Sequence, residues 1–233
     1  MTCQIDIDGK NLENRNAQVA PPFSSSWLVD EVAIEMNPAV FASKIDKSQY
    51  PIIQELVKKL CARDIDTGKH SKRLSGFAEL TATKLGINVL DAQVVFWSGM
   101  LHDIGKTEIP DAVLHEPGPL SQAQWAIMRR HPQIGAEIIL RSTNLPQVAS
   151  LVLSHHEKWD GSGYPYGLKG EDIPLGARIL SVTDSYCAMI DDRVYRPARS
   201  HLKALAELQR WTGIYYDPHV LRAFLSLFDD SKL

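Results

Sequence analysis

The chain has 233 residues, 44% of them hydrophobic, which is enough for one sizeable core with a small appendage. A formal net charge of −3 provides no global positive field, which argues against polymeric nucleic acid as a partner and requires that any anionic ligand be held by a local cluster of cations or metals. Cys3, Cys61 and Cys187 are widely spaced, odd in number and form no CxxC pair, so neither a disulfide framework nor a zinc knuckle is expected. Met1 to Lys10 lacks the basic start and apolar stretch of a signal peptide, and no apolar run reaches the roughly 18 residues of a membrane span. The expectation is a soluble cytoplasmic protein without membrane contact.

Residues 1–26 are mostly polar, contain Pro21 and Pro22 and end in Ser24-Ser25-Ser26, and read as an arm or linker. A mixed segment from Trp27 to Tyr50 reads as a small cap, too short for a domain of its own. The division is therefore an arm and cap over 1–50 and one domain over 51–233. From Pro51 onward the pattern is helical. Ile52, Ile53, Leu56, Val57 and Leu60 recur at the spacing of an amphipathic helix. A second helix is predicted from His70 to Leu85, stopped by Gly86. A third, Val89 to Leu101, is apolar nearly all round and should be central. Ser121-Gln122-Ala123-Gln124 is a capping box that opens another helix. Further helices are predicted at Ile134–Arg141, Pro146–Lys158, Gly176–Ile190, Leu202–Trp211 and Pro218–Leu227. There is no β-branched alternation long enough for a sheet and no internal repeat, so the fold class is all-α, a compact helical bundle.

The chemistry concentrates in the histidines. Of eight, five stand in suggestive company: His70, His102 beside Asp103, His131, and the pair His155-His156. Asp184 adds a carboxylate to an otherwise apolar helix. Asp103 ends the apolar third helix, where an isolated buried carboxylate costs several kcal/mol unless a cation compensates it. Imidazole with carboxylate and no thiolate suits iron, manganese, zinc or nickel. A lone histidine on a helix is most often a hydrogen-bonded core or surface residue, so His115, His201 and His219 are unassigned. Adjacent histidines on a helix point about 100° apart, so one metal rarely takes both. Taken jointly, five histidines and two aspartates on helices around one core favour a metal site.

His102-Asp103-Ile104-Gly105-Lys106, followed by Ile109-Pro110-Asp111, resembles the signature of the HD superfamily of metal-dependent phosphohydrolases. His131-Pro132, His155-His156-Glu157, Asp160-Gly161-Ser162-Gly163-Tyr164-Pro165, Ile173-Pro174 and Asp184 follow in an order similar to the HD-GYP subgroup, cyclic di-GMP phosphodiesterases of bacterial signalling. The resemblance covers about Asp64 to Arg196. It implies a helical HD-type fold holding two divalent ions, iron or manganese, with a third not favoured. It implies that His70, His102, Asp103 and Asp184 hold one ion, that Asp103, His131, His155 and His156 hold the second, and that a bridging water or hydroxide is the nucleophile. Lys106, three residues after Asp103, would neutralise a phosphate oxygen or assist the leaving oxygen, against a plain reading as a solvated lysine. Tyr164, on a loop otherwise readable as a simple turn, would approach the ligand. Arg193 and Arg196 suit bidentate phosphate recognition, and Asp64 is grouped with these ligand-contacting residues.

Three departures from the subgroup stand out. Asp66 replaces a glutamate that is linked to a third metal, Cys187 replaces an aspartate three residues after Asp184, and Val194 replaces a proline. The reading is hydrolysis of cyclic di-GMP to pGpG, with further cleavage to GMP left open. The alternatives are a catalytically weak or inactive cyclic-dinucleotide sensor, which Cys187 slightly favours, and an HD hydrolase of another nucleotide. A protein partner acting through the arm, or a homodimer, is compatible with this pattern.

Overall fold

The computed structural model describes residues 46–63, 65–192 and 198–229, with only the backbone described at residues 47 and 65–67. The arm, and the cap segment as far as residue 45, lie outside the described residues. A 3-10 turn at Lys47–Gln49 leads into α1 (Tyr50–Arg63), α2 (Ile65–Lys84) and α3 (Val89–Leu101). A 3-10 turn (Ile104–Glu108), α4 (Asp111–Leu114), α5 (Gln122–Met128), α6 (His131–Ser142) and α7 (Pro146–Ser154) follow. After a loop with a 3-10 turn at Gly170–Asp172 come α8 (Leu175–Ile190), α9 (His201–Arg210) and α10 (Pro218–Leu225), the last running on into a 3-10 turn, Ser226–Phe228. Among the described residues there is no strand, and the all-α expectation holds.

α3 is the axis of the molecule because it is apolar all round. Ala92 and Val95 join a core built with α2, α8, α9 and α10, while Phe96, Trp97 and Leu101 join a second core built with α1, α6 and α7. Burying one helix between two clusters fixes where its C-terminus, His102-Asp103, must emerge. The helix starts as the sequence predicts, with Asn88 Oδ1 accepting from the amides of Leu90 and Asp91 at 3.1 Å. The Ser121–Gln124 capping box is also present, with reciprocal bonds of 2.8 and 3.3 Å.

Two helix boundaries differ from expectation in ways that matter for the site. α2 begins at Ile65, not His70, which puts His70 inside the helix rather than at its start. α7 ends at Ser154 rather than Lys158. Its continuation fails because the Glu157 carboxylate turns inward to serve loop amides, and the glycines at 161 and 163 follow. Consequently the two histidines are not on a helix face: His155 is the C-cap and His156 begins the loop. The turn after Asp103 and the short α4 have no hydrophobic period to betray them.

Candidate metal centre

The site is built from helix ends. His102 is the C-cap of α3, where carbonyls of the last turn lack helical partners, and its ring uses one of them. Nδ1 donates to the Gly99 carbonyl at 2.8 Å. A carbonyl only accepts, so the proton is fixed on Nδ1 and Nε2 is left with its lone pair. The same device recurs at the end of α7, where His155 Nδ1 donates to the Val152 carbonyl at 2.6 Å. It recurs again after α5, where His131 Nδ1 donates to the Met128 carbonyl at 2.9 Å. All three rings are buried, so their Nε2 atoms face one interior point rather than water.

Asp103 stands at that point, 5% exposed. Its Oδ2 is 3.2 Å from His102 Nε2 and 2.7 Å from Lys106 Nζ, and its Oδ1 is 3.4 Å from His131 Nε2. Burial alone would push this carboxyl upward, but nearby positive charge, with the Lys106 ammonium in direct contact, outweighs it and holds the group well below the usual carboxylate range. Two ligand groups flank it. His131, His155 and His156 form one, and His70, His102 and Asp184 form the other, each with donor atoms within 4.8 Å of one another.

The donor set fits divalent metal ions on three counts. The Nε2 atoms of His131 and His155 are 3.4 Å apart although both carry lone pairs, an arrangement that needs a cation to be favourable. Burial lowers the pKa of His131 to about 4, that of His156 to about 3, and that of His155 well below the ordinary value, so all three are neutral, ligand-ready imidazoles near pH 7. In the other group, His70 Nε2 meets Asp184 Oδ1 at 3.0 Å and its Nδ1 meets Asp191 Oδ2 at 2.7 Å. Burial opposes a charge on this ring, but hydrogen bonds to Asp184 and Asp191 outweigh it and raise the pKa to about 9. Positive charge is thus needed between His70 and Asp184, and a proton supplies it where no metal does.

An HD domain family model matches residues 55–220, most of the chain. The chain belongs to the HD domain family. This HD domain is 38% identical over 215 residues to a cyclic di-GMP phosphodiesterase of Thermotoga maritima, covering 91% of this chain and 57% of that one. It is 36% identical over 181 residues to the 3'3'-cGAMP-specific phosphodiesterase 2 of Vibrio cholerae, covering 77% and 35%. A solved cyclic GMP-AMP-specific phosphodiesterase from V. cholerae shares the fold, with a TM-score of 0.59, 18% identity and coverage of 78% of this chain and 49% of that one. The chain spans about half the length of the curated relatives it matches. HD domain phosphohydrolases are metal-dependent, and this HD domain carries the His and Asp groups that could bind metal.

The loop after α7 closes one side of the centre. Glu157 is 1% exposed, and its two oxygens accept the amides of Tyr166 at 2.7 Å and Leu168 at 3.1 Å. The Tyr164 amide donates to the His156 carbonyl at 3.2 Å. Gly163 is required where the loop folds back, because a Cβ there would lie 2.4 Å from the Lys158 nitrogen. The outer end is pinned by the amides of Trp159 and Asp160 to the carbonyls of Tyr215 and Ile214. This holds the Tyr164 ring stacked on His156, with centroids 4.8 Å apart, and the Arg129 guanidinium 5.0 Å from the tyrosine centroid. Glu157→Ala strands two loop amides and is expected to destabilise the HD domain by about 3 kcal/mol. Glu157→Gln, which keeps one acceptor, should lose less. Melting temperatures and amide exchange at Tyr166 and Leu168 would report both, and an unaltered exchange rate in the alanine variant would remove Glu157 as the loop's anchor.

The structure brings together His70, His102, Asp103, Lys106, His131, His155, His156 and Asp184, and sets Tyr164 beside them. Asp64, Arg193 and Arg196 lie outside the described residues, as does the side chain of Asp66. Reading the sequence missed Arg129, Glu157 and Asp191. Only Glu157 had a signal, as the charged residue that follows the histidine pair. Cys187 is fully buried in the first core, and burial pushes its thiol well above the ordinary range. Among the described residues no helix is long and apolar enough to cross a membrane.

Proposed function

We propose that this HD domain hydrolyses a cyclic dinucleotide, cyclic di-GMP foremost, opening it to linear pGpG. The observation that carries this reading is one buried carboxylate, Asp103, flanked on each side by a three-residue ligand group. His70, His102 and Asp184 would hold one ion, His131, His155 and His156 the other, and Asp103 would be shared. The donors are imidazole and carboxylate without thiolate, which suits iron or manganese. Two divalent ions in such a site activate water near neutral pH and offset phosphodiester charge.

The chain's own residues then divide the work. The rings of His102, His131 and His155 are tethered to backbone carbonyls through Nδ1, which orients their Nε2 atoms as ligands. Lys106, held against Asp103 with its side chain 30% exposed, reaches the opening and can neutralise a phosphate oxygen or protonate the departing one. Because Lys106 pairs with Asp103 directly, it does not need the aspartate that Cys187 replaces. Tyr164, its ring against His156 and Arg129, stands beside this site, and the Arg129 guanidinium is suited to a phosphate.

The relatives' names include both cyclic di-GMP and 3'3'-cGAMP enzymes, so the test is a substrate panel. Anaerobically purified full chain should hydrolyse cyclic di-GMP with about two metal ions per chain, quantified on the same sample. Faster hydrolysis of the mixed dinucleotide would change the substrate. Binding without turnover by a fully metallated sample would make the chain a sensor and overturn the enzymatic reading.

A further inference from the structure

His102, His131 and His155 share one orienting device, a ring Nδ1–H given to a carbonyl three residues earlier at or near a helix end. His70 cannot use it. It lies inside α2, which runs from Ile65 to Lys84, and the carbonyls three and four residues before it belong to the helix's own hydrogen-bond ladder. Without an outside partner its Nδ1 would be a buried, unpaired polar atom, and the ring could turn either nitrogen toward the centre. The partner present is Asp191, the C-cap of α8, whose Oδ2 lies 2.7 Å from His70 Nδ1. Asp191 is itself held from its other oxygen by Arg73 Nη1 at 2.6 Å, and Arg73 sits three residues after His70 on α2. Arg73, Asp191 and His70 form a closed relay between two helices. Asp191 lies one helical turn beyond Cys187, whose carbonyl takes the Asp191 amide at 3.0 Å. The buried thiol of Cys187 offers His70 no comparable acceptor.

We propose that Asp191, steadied by Arg73, is the positioning residue for His70: it holds the proton on Nδ1 and so presents Nε2, beside Asp184, as a metal ligand. The assignment rests on the reading of His70 as a metal ligand. A carboxylate behind a ligating imidazole fixes its tautomer and raises its basicity, and loss of such a partner lowers metal affinity by about 10- to 100-fold. It acts on one ligand group only, since the three histidines with backbone partners do not depend on it.

The test is Mn2+ titration of the full chain against a competing chelator, with a thermal melt of each metal-free sample. Asp191→Ala should weaken one of two bound ions by about 10- to 100-fold and leave the other nearly unchanged. Asp191→Asn, whose amide oxygen still accepts from Nδ1, should recover part of that loss. A purely packing role for Asp191 would move the melt and leave both affinities alone. Equal affinities in Asp191→Ala and wild type therefore overturn the assignment. A wild-type chain that binds no Mn2+ would instead overturn the metal reading beneath it.

Discussion

Asp103→Ala is expected to reduce the proposed cyclic dinucleotide hydrolysis by more than about 100-fold and to leave the purified chain with less than its full metal content, while the helical fold persists. The magnitude follows from position. Loss of an outer-shell partner already costs about 10- to 100-fold, and on the proposed reading Asp103 is a ligand shared by both ions. Its two oxygens face the two ligand groups separately, with His131 on one side and His102 and Lys106 on the other. Removing it takes one donor from each group and leaves the Lys106 ammonium beside neutral imidazoles, which repels a cation from the place where one is wanted. The fold should survive because Asp103 belongs to neither apolar core and α3 is anchored by Phe96, Trp97 and Leu101 before it. Asp103→Asn keeps the shape and removes the charge, and should be nearly as inactive. Turnover, elemental analysis and circular dichroism on one preparation decide the matter. Normal turnover with normal metal content in the alanine variant would dismiss Asp103 as the shared ligand.

Gly105→Ala should be the most damaging single methyl that can be added to this HD domain, for a reason independent of metal. The turn after Asp103 packs backbone against backbone on the start of α6. A Cβ on Gly105 would lie 1.9 Å from the His131 carbonyl oxygen and 2.6 Å from the Gly135 nitrogen. Neither neighbour is a flexible side chain, so the two segments must part. Gly135 shows the same closeness from the other side, its added Cβ falling 3.3 Å from the Gly105 nitrogen and 3.1 Å from Val152 Cγ1. Overpacking of this kind costs about 1–3 kcal/mol where side chains can yield, and more where only backbone can. A loss of about 4 kcal/mol is expected, read as a lower denaturation midpoint at unchanged slope. Because the same contact sets the 3.4 Å approach of Asp103 to His131, whatever folded protein remains should bind metal more weakly. A variant with wild-type midpoint would show that the turn and α6 need not touch.

Much of this protein is legible in adjacent residues. The apolar circumference of Val89–Leu101 made α3 central, and the Ser121 box opened α5 where expected, because both depend on neighbours within one or two helical turns. The cluster of histidines and aspartates pointed to metal because those side chains are costly to bury without one. Other features came only with the tertiary structure. The start of α2 and the stop of α7 were misplaced, since each hinges on what the chain meets elsewhere: His70 sits mid-helix, and Glu157 abandons the helix for amides nine and eleven residues on. His155 and His156, expected to diverge around a helix, instead have ring centroids 4.0 Å apart, because the helix ends at Ser154, before both of them. Asp191 meets His70 and Arg73 across 121 and 118 residues of chain, a separation at which no local pattern carries information. Local periodicity and capping are written in adjacent residues and can be read there. The orientation of each imidazole depends on which acceptor packing brings to its second nitrogen, and only the folded chain decides that.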